Sequence, residues 1–213
     1  MTGDDKLQRI YSSRDNKELE EGYDGWAAGY ETDLEHDFAW SSPQAAAKVL
    51  ARYVDNDVKV LDAGAGTGLV GSELAKLGFN NLVAMDLSRG MLDKANRKNV
   101  YQQLRQMVMG EPLDFITNLF DAVISVGVLT LGHAPSSSFD ELVRITKPGG
   151  YIVFTLRPDV YENNGFKDKM DELESKGEWT FIEASDKFVL LPKPETKPET
   201  GYYHQIWVYQ VIS

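Results

Sequence analysis

The chain has 213 residues, of which 22 are Lys or Arg and 33 are Asp or Glu, so its formal charge is −11 with histidine neutral. That length suits one large domain or one domain with an extension, and so acidic a surface repels phosphate backbones, which makes nucleic acid an unfavourable partner. With no cysteine, disulfides, thiolate metal sites and a cysteine nucleophile are excluded, and no apolar run approaches the roughly 20 residues that span a bilayer.

Met1 to Asp5 are polar and acidic, unlike a secretory or transit leader, and a cytoplasmic location is the expectation. Residues 1–22 are charged with weak periodicity and read as a partly ordered arm or short helix. Tyr23 to Glu31 is dense in aromatic and small residues: Tyr23, Trp26 and Tyr30 recur among Gly25, Ala27, Ala28 and Gly29. Ser41-Ser42-Pro43 can cap and start a helix over Gln44 to Tyr53, since proline lacks only a donor that the first turn leaves unused.

From Val58 strands and helices alternate. Val58–Asp62 reads as a strand, Leu69–Leu77 as a helix closed by Gly78, and Leu82–Asp86 as a second strand. Ser88 can cap the helix that carries Met91, Leu92 and Ala95. Gln106–Met109 reads as a short third strand and Phe120–Val126 as a strongly apolar fourth. Phe139–Ile145 reads as a helix, Lys147–Gly150 as a turn, and Tyr151–Leu156 as a fifth strand. This alternation means βαβ units and a parallel sheet with helices on both faces. Lys167–Lys176 reads as a further helix. Trp179–Leu191 and Tyr202–Ile212 are β-rich runs that pair antiparallel. Between them, Lys193-Pro194-Glu195-Thr196 repeats as Lys197-Pro198-Glu199-Thr200, a composition that suits a polar linker.

The chemistry concentrates at Asp62-Ala63-Gly64-Ala65-Gly66-Thr67-Gly68, between strand and helix. Glycines there let the backbone turn and approach a ligand closely. A dinucleotide fingerprint starting from Gly64 and Gly66 needs a third glycine where Leu69 stands. A phosphate-binding loop using Gly66 and Gly71 needs lysine where Ser72 stands. Asp86, closing the second strand, can accept hydrogen bonds from both hydroxyls of a ribose.

Asp62 followed by G-x-G-x-G resembles motif I of the class I methyltransferases that use S-adenosylmethionine (SAM). The similarity continues through Asp86, Gly110-Glu111-Pro112-Leu113, Phe120–Ile124, Arg144–Gly150 and the terminal hairpin, and it spans roughly Tyr23 to Tyr209. Tyr23-Asp24-x-Trp26-Ala27-x-x-Tyr30-Glu31, Gly68–Gly71, Asp121–Gly127 and Thr146–Gly150 are similar to the Williams–Beuren-region methyltransferase-like proteins. The resemblance implies a Rossmann-like three-layer α/β/α sandwich, its mixed seven-stranded sheet ending in a C-terminal antiparallel hairpin. Residues 1–55 would form a helical lid segment and 56–213 the methyltransferase domain.

The implied cofactor is SAM, with S-adenosylhomocysteine as product. It would be held by Asp62, Ala63, Gly64, Gly66 and Gly68, by Asp86, Leu87 and Met91, by Gly110 and Glu111, and by Val126. Tyr30 would cover it. An acid at the end of the first strand suits the ammonium of the methionine end, and apolar Leu87 suits a wall of the adenine pocket.

In an open parallel sheet, ligands bind at the carboxyl ends of the strands. Gly127 to Thr130 therefore fall near the transferable methyl, and Thr130, Tyr23, Trp26 and Arg157 are the candidate acceptor contacts. Arg157 could bind a carboxylate or phosphate, and His133 is the candidate general base. No N-P-P-[YF] motif follows the fourth strand, where Ser125–Val128 stand, which disfavours transfer to exocyclic nitrogens. Pyrimidine carbon-5 transfer lacks its cysteine, and Asp121 lies at the wrong end of the strand for metal-dependent catechol-type transfer. No metal site is expected from three scattered histidines. The remaining acceptors are a small molecule or a protein, for a monomer or homodimer. A SAM-binding scaffold without activity is the alternative, and a dinucleotide-dependent oxidoreductase a weaker one.

Overall fold

A computed structural model describes Lys6 and residues 9–38, 40–130, 132–189 and 203–213. Lys6 and residues 9–11 are helical, and α1 (Asn16–Trp26) and α2 (Tyr30–Phe38) follow. Asp15 caps α1, accepting from the Glu18 amide at 2.9 Å and so satisfying one of the donors that a helix start leaves unpaired. Helix α3 (Ser42–Leu50) follows, with Pro43 in its first turn.

The alternating region comprises β1 (Val60–Ala63), α4 (Leu69–Lys76), β2 (Leu82–Asp86), α5 (Arg89–Asn96), β3 (Tyr101–Gln106), β4 (Phe120–Ser125), α6 (Ser138–Ile145) and β5 (Thr146–Leu156). The C-terminal part holds α7 (Pro158–Asn163), α8 (Phe166–Ser175), β6 (Trp179–Ala184), β7 (Phe188–Val189) and β8 (Tyr203–Val211). The strands form one mixed sheet in the order β3-β2-β1-β4-β5-β8-β6. Strands β1 to β5 pair in parallel, and β8 inserts antiparallel between β5 and β6. Two-residue β7 pairs with the start of β8.

Strands β1 and β2 are buried along their whole length, as apolar runs covered on both faces must be. Residues of β4 feed two cores, with the alternation reset by the irregularity between Phe120 and Ala122. Phe120 and Val123 join Phe139 and Leu142 of α6 and Met170 and Leu173 of α8 on one face. Ala122 and Ile124 join Ala46, Ala47 and Leu50 of α3 and Val70 and Leu74 of α4 on the other. Helices on both faces of one sheet make the three-layer sandwich.

Three expectations need correction. The third strand is Tyr101–Gln106 rather than Gln106–Met109. As the sheet edge it exposes Gln102, Gln103 and Gln106, so its hydropathy is weak, while the apolar Met107 and Met109 follow it. The Lys147–Gly150 turn lies within β5: the register on β4 jumps from Phe120↔Thr146 to Ala122↔Tyr151, and Gly149 takes φ +81° there, which glycine tolerates without strain. The run from Trp179 to Leu191 breaks after Ala184. The repeat at 193–200 lies outside the described residues.

Candidate functional site

The residues after β1 and β2 are held by backbone bonds. The amides of Gly64 and Ala65 donate to the Met85 carbonyl at 2.8 and 2.9 Å. Gly64, Gly66 and Gly68 have φ of +81°, +54° and +86°, a region that penalises a Cβ. A Cβ on Gly64 would stand 2.2 Å from Val128 Cγ2, whereas one on Gly66 would meet nothing within 4 Å. The first glycine therefore lets the loop pass under the residues after β4, and the second faces open space.

Asp86 Oδ2 accepts from the Gly66 amide at 2.8 Å and Oδ1 from the Ser88 amide at 2.9 Å. Burial pushes its carboxyl up to about 6, against the pull of those amides. Asp62 is 1% exposed. Its Oδ2 accepts from the Tyr101 hydroxyl at 2.5 Å, and its Oδ1 is buried without a hydrogen-bond partner. Burial pushes the Asp62 carboxyl up to about 7, with the Tyr101 hydroxyl pulling the other way. An orphaned, buried carboxylate oxygen just before the glycine loop favours a nearby positive charge or a bridging water.

A cleft, partly open to solvent, spans the carboxyl ends of β1, β2, β3 and β4. Of the residues expected from sequence, Tyr23, Tyr30, Gly64, Gly66, Asp86, Leu87, Met91, Val126 and His133 line it. Asp62 and Ala63 are buried in β1, behind the loop. Gly68 starts α4 tightly against Tyr101 and Ala95. Gly110 turns with φ +94° against Pro135, and Glu111 faces solvent near Asn16, so the third-strand contacts come instead from Met107, Val108 and Met109.

Trp26 is 3% exposed and outside the lining. Its indole donates to Asp33 at 2.6 Å, and its ring packs edge-on against Tyr30 at 4.8 Å, so it anchors α1 on α2. Thr130 is buried outside the lining with Oγ1 unpaired. Arg157, also outside it, makes two bonds to Asp159, at 2.9 and 2.6 Å.

Sequence reasoning missed several participants. Asn16 and Leu19 from α1 and Trp40 before α3 join the lining. Tyr101 accepts from the Gly71 amide at 3.1 Å while donating to Asp62; a tyrosine among glutamines on an edge strand was the available signal. Asp24 Oδ1 accepts from the Ser88 hydroxyl at 2.5 Å and from the Gly90 amide at 2.8 Å. A carboxylate suits that place, because the start of α5 presents unpaired amides and a positive dipole end. Among the described residues, no group of three His, Asp or Glu is placed to hold a metal, and no helix is long and apolar enough to cross a membrane.

Residues 61–154 match the family described as Methyltransferase domain. Methyltransferase-like protein 27 of Homo sapiens is 35% identical over 169 residues, spanning 76% of this chain and 68% of that protein. Demethylmenaquinone methyltransferase of Corynebacterium efficiens is 44% identical over 97 residues, 44% of this chain and 39% of that enzyme. Among solved structures, a Haloferax volcanii methyltransferase in complex with the Trm112 methyltransferase activator shares the fold at TM-score 0.67 and 16% identity, with 90% of this chain and 98% of that chain covered. A TehB-like SAM-dependent methyltransferase from Corynebacterium glutamicum does so at 0.62 and 18%, covering 90% and 99%.

The fold is that of the class I SAM-dependent methyltransferases, and SAM is the cofactor of that class. Within it, the chain belongs to the family of methyltransferase-like protein 27.

Proposed function

We propose that the protein transfers the methyl group of SAM to a small-molecule acceptor inside the cavity, in line and without metal. The observation that carries this reading is the closure of the cavity by Leu19 and Tyr23 of α1 and Tyr30 of α2, which suits a small guest better than a protein chain. SAM supplies a methyl already activated on a sulfonium, so the protein's part is positioning and exclusion of water, and positioning alone is worth on the order of 7–11 kcal/mol. Asp86 receives the ribose hydroxyls. Asp62, behind the loop, favours the ammonium by its charge rather than by direct contact. Leu87, Met91, Val108 and Met109 wall the adenine, and the backbone of Gly64 and Gly66 lies along the methionine end. The names of relatives leave the acceptor open: one is a demethylmenaquinone methyltransferase and another a malonyl-[acyl-carrier protein] O-methyltransferase.

Calorimetric titration with SAM and S-adenosylhomocysteine tests the cofactor part, with micromolar binding expected. Absence of binding by folded, ligand-free protein would overturn it. Production of S-adenosylhomocysteine with some acceptor separates an enzyme from a binding scaffold.

The two carboxyls make binding depend on pH. Both fold with pKa values above the ordinary 3.8, at about 7 for Asp62 and about 6 for Asp86. Between those limits the folded protein holds protons that the unfolded chain has released, so this contribution to stability falls as pH rises. SAM favours the ionised carboxylates, so its affinity rises with pH while protons are released. Between about pH 5.5 and about pH 7.5 the affinity should tighten at least tenfold by this linkage. Titrations in buffers of different ionisation enthalpy would show the released protons, and a flat profile would remove both acids from the site.

Asp24 ties α1 to α5 over the cleft. In Asp24→Ala both bonds to the start of α5 are lost, and α1 should open more often. S-adenosylhomocysteine should then dissociate about tenfold faster, since hydrogen bonds to a charged group contribute about 1.5–3 kcal/mol. Stopped-flow displacement measures this, and an unchanged rate would show that α1 does not gate release.

A further inference from the structure

The lining divides by the strand that carries it. Gly64, Gly66, Asp86 and Leu87 follow β1 and β2. Val126, Gly127 and Val128 follow β4, with Trp40 beside them: a Cβ on Gly127 would stand 3.4 Å from Trp40 Cζ2. His133 and Ala134 close this second half, and the Tyr23 hydroxyl lies 2.8 Å from His133 Nε2.

Among the described residues no lysine or arginine lines the cavity. Asp86 is its carboxylate, and both of its oxygens already accept from backbone amides. A carboxylate held away from the reacting centre would thus lose its hydration with no side-chain cation to meet it, since the sulfonium faces the methyl acceptor alone. The walls of the second half are largely apolar, with the unpaired Trp40 indole N–H among them, and the titratable group in it is the Tyr23–His133 pair. Burial and the surrounding Tyr30, Tyr11 and Asp86 push the Tyr23 hydroxyl well above its ordinary range, so it passes a proton on rather than standing ionised.

We infer that the acceptor is an uncharged aromatic molecule carrying an ionisable hydroxyl or thiol, seated against Trp40 and Val128 with that group on the Tyr23–His133 pair. This rests on the methyl-transfer reading above. The acceptor's oxygen or sulfur bonds to the methyl carbon as the carbon–sulfonium bond breaks, and that bond's electron pair stays on the cofactor sulfur. The acceptor's proton goes to the Tyr23 oxygen while the Tyr23 proton goes to His133 Nε2. The positive charge that left the sulfonium ends on the imidazolium, so atoms and charge balance.

The test uses the full chain with SAM and three probes: 2-naphthol, 2-naphthylmethanethiol and 6-hydroxy-2-naphthoic acid. The readout is S-adenosylhomocysteine formed, with its affinity measured separately by calorimetry. One of the two neutral probes should be methylated, and the carboxylated probe at least about tenfold more slowly, for want of a counter-charge. His133→Gln should slow the neutral probe about 100-fold and Tyr23→Phe about tenfold, within the range of general-base catalysis. S-adenosylhomocysteine affinity should stay within about threefold in both variants, well under the 1.4 kcal/mol of a tenfold change. The inference is overturned if the carboxylated probe is preferred, if His133→Gln keeps the full rate, or if protein that binds SAM methylates neither neutral probe. Failure to bind SAM at all would sink the methyl-transfer reading itself, and this one with it.

Discussion

Asp86→Ala should weaken SAM binding about 100-fold, or about 2.7 kcal/mol at 1.4 kcal/mol per tenfold. Truncating one partner of a buried, hydrogen-bonded charged contact costs about 2–5 kcal/mol, and here two ribose hydroxyls lose their acceptor. The change also frees the amides of Gly66 and Ser88 that Asp86 now receives. Each unpaired buried donor costs about 1–3 kcal/mol. Removing a buried carboxylate gives back a comparable amount, because its folded pKa is near 6 rather than 3.8 and each unit is about 1.36 kcal/mol. The two effects offset, so the melting temperature should move little while affinity collapses. Asp86→Asn keeps an acceptor oxygen and should lose only about tenfold, or about 1.4 kcal/mol. Affinity within about threefold of the parent for Asp86→Ala, less than 1.4 kcal/mol, would dismiss the ribose role.

Gly71→Ala should be strongly destabilising. A Cβ on Gly71 would lie 2.3 Å from both Cζ and the hydroxyl oxygen of Tyr101, so the ring must leave. It would take with it the donor to Asp62 Oδ2 and the acceptor of the Gly71 amide. Overpacking costs about 1–3 kcal/mol and a hydrogen bond to a charged group about 1.5–3 kcal/mol, for an expected loss of about 3–5 kcal/mol. In a domain of this size each kcal/mol lowers the melting temperature by about 2–4 °C, so a drop of about 10–15 °C is expected. Tyr101→Phe, which keeps the ring and loses the hydroxyl, should cost about 1.5–3 kcal/mol. In a Tyr101→Leu background the Gly71→Ala change should cost under about 1 kcal/mol, because the clash is already gone. The coupling in that double-mutant cycle is the readout, and additive costs would show that Tyr101 and Gly71 act independently.

Much of the frame is legible because burial on both faces writes itself into hydropathy. Val60, Leu61 and Ala63 of β1 and Leu82 to Met85 of β2 are buried throughout, so their apolar runs stand out. The glycines between β1 and α4 stand out because positive φ admits few other residues, and Ser88 was recognisable as a cap, its hydroxyl accepting from the Met91 amide at 3.0 Å. Strand β3 was misplaced for the opposite reason: an edge strand needs few inward side chains, and here they are Tyr101 and Leu104 among exposed glutamines. Trp26 shows a second limit. Tyr23, Trp26 and Tyr30 recur at helical spacing, yet only the tyrosines line the cavity, because Asp33 of α2 claims the indole.

By itself, then, the sequence determined the alternation of strands and helices, the glycine loop after β1, the acid that ends β2 and the aromatic segment before them. Those are local properties of backbone conformation, capping and periodic burial. Only the tertiary structure decided the partners: Tyr101 with Asp62 across 39 residues, Asp24 with Ser88 across 64, and Tyr23 with His133 across 110. Each pair joins elements that meet because separate apolar faces pack on one sheet. Which polar groups are thereby brought within hydrogen-bond reach depends on helix phase and strand register, which residue-by-residue hydropathy does not encode.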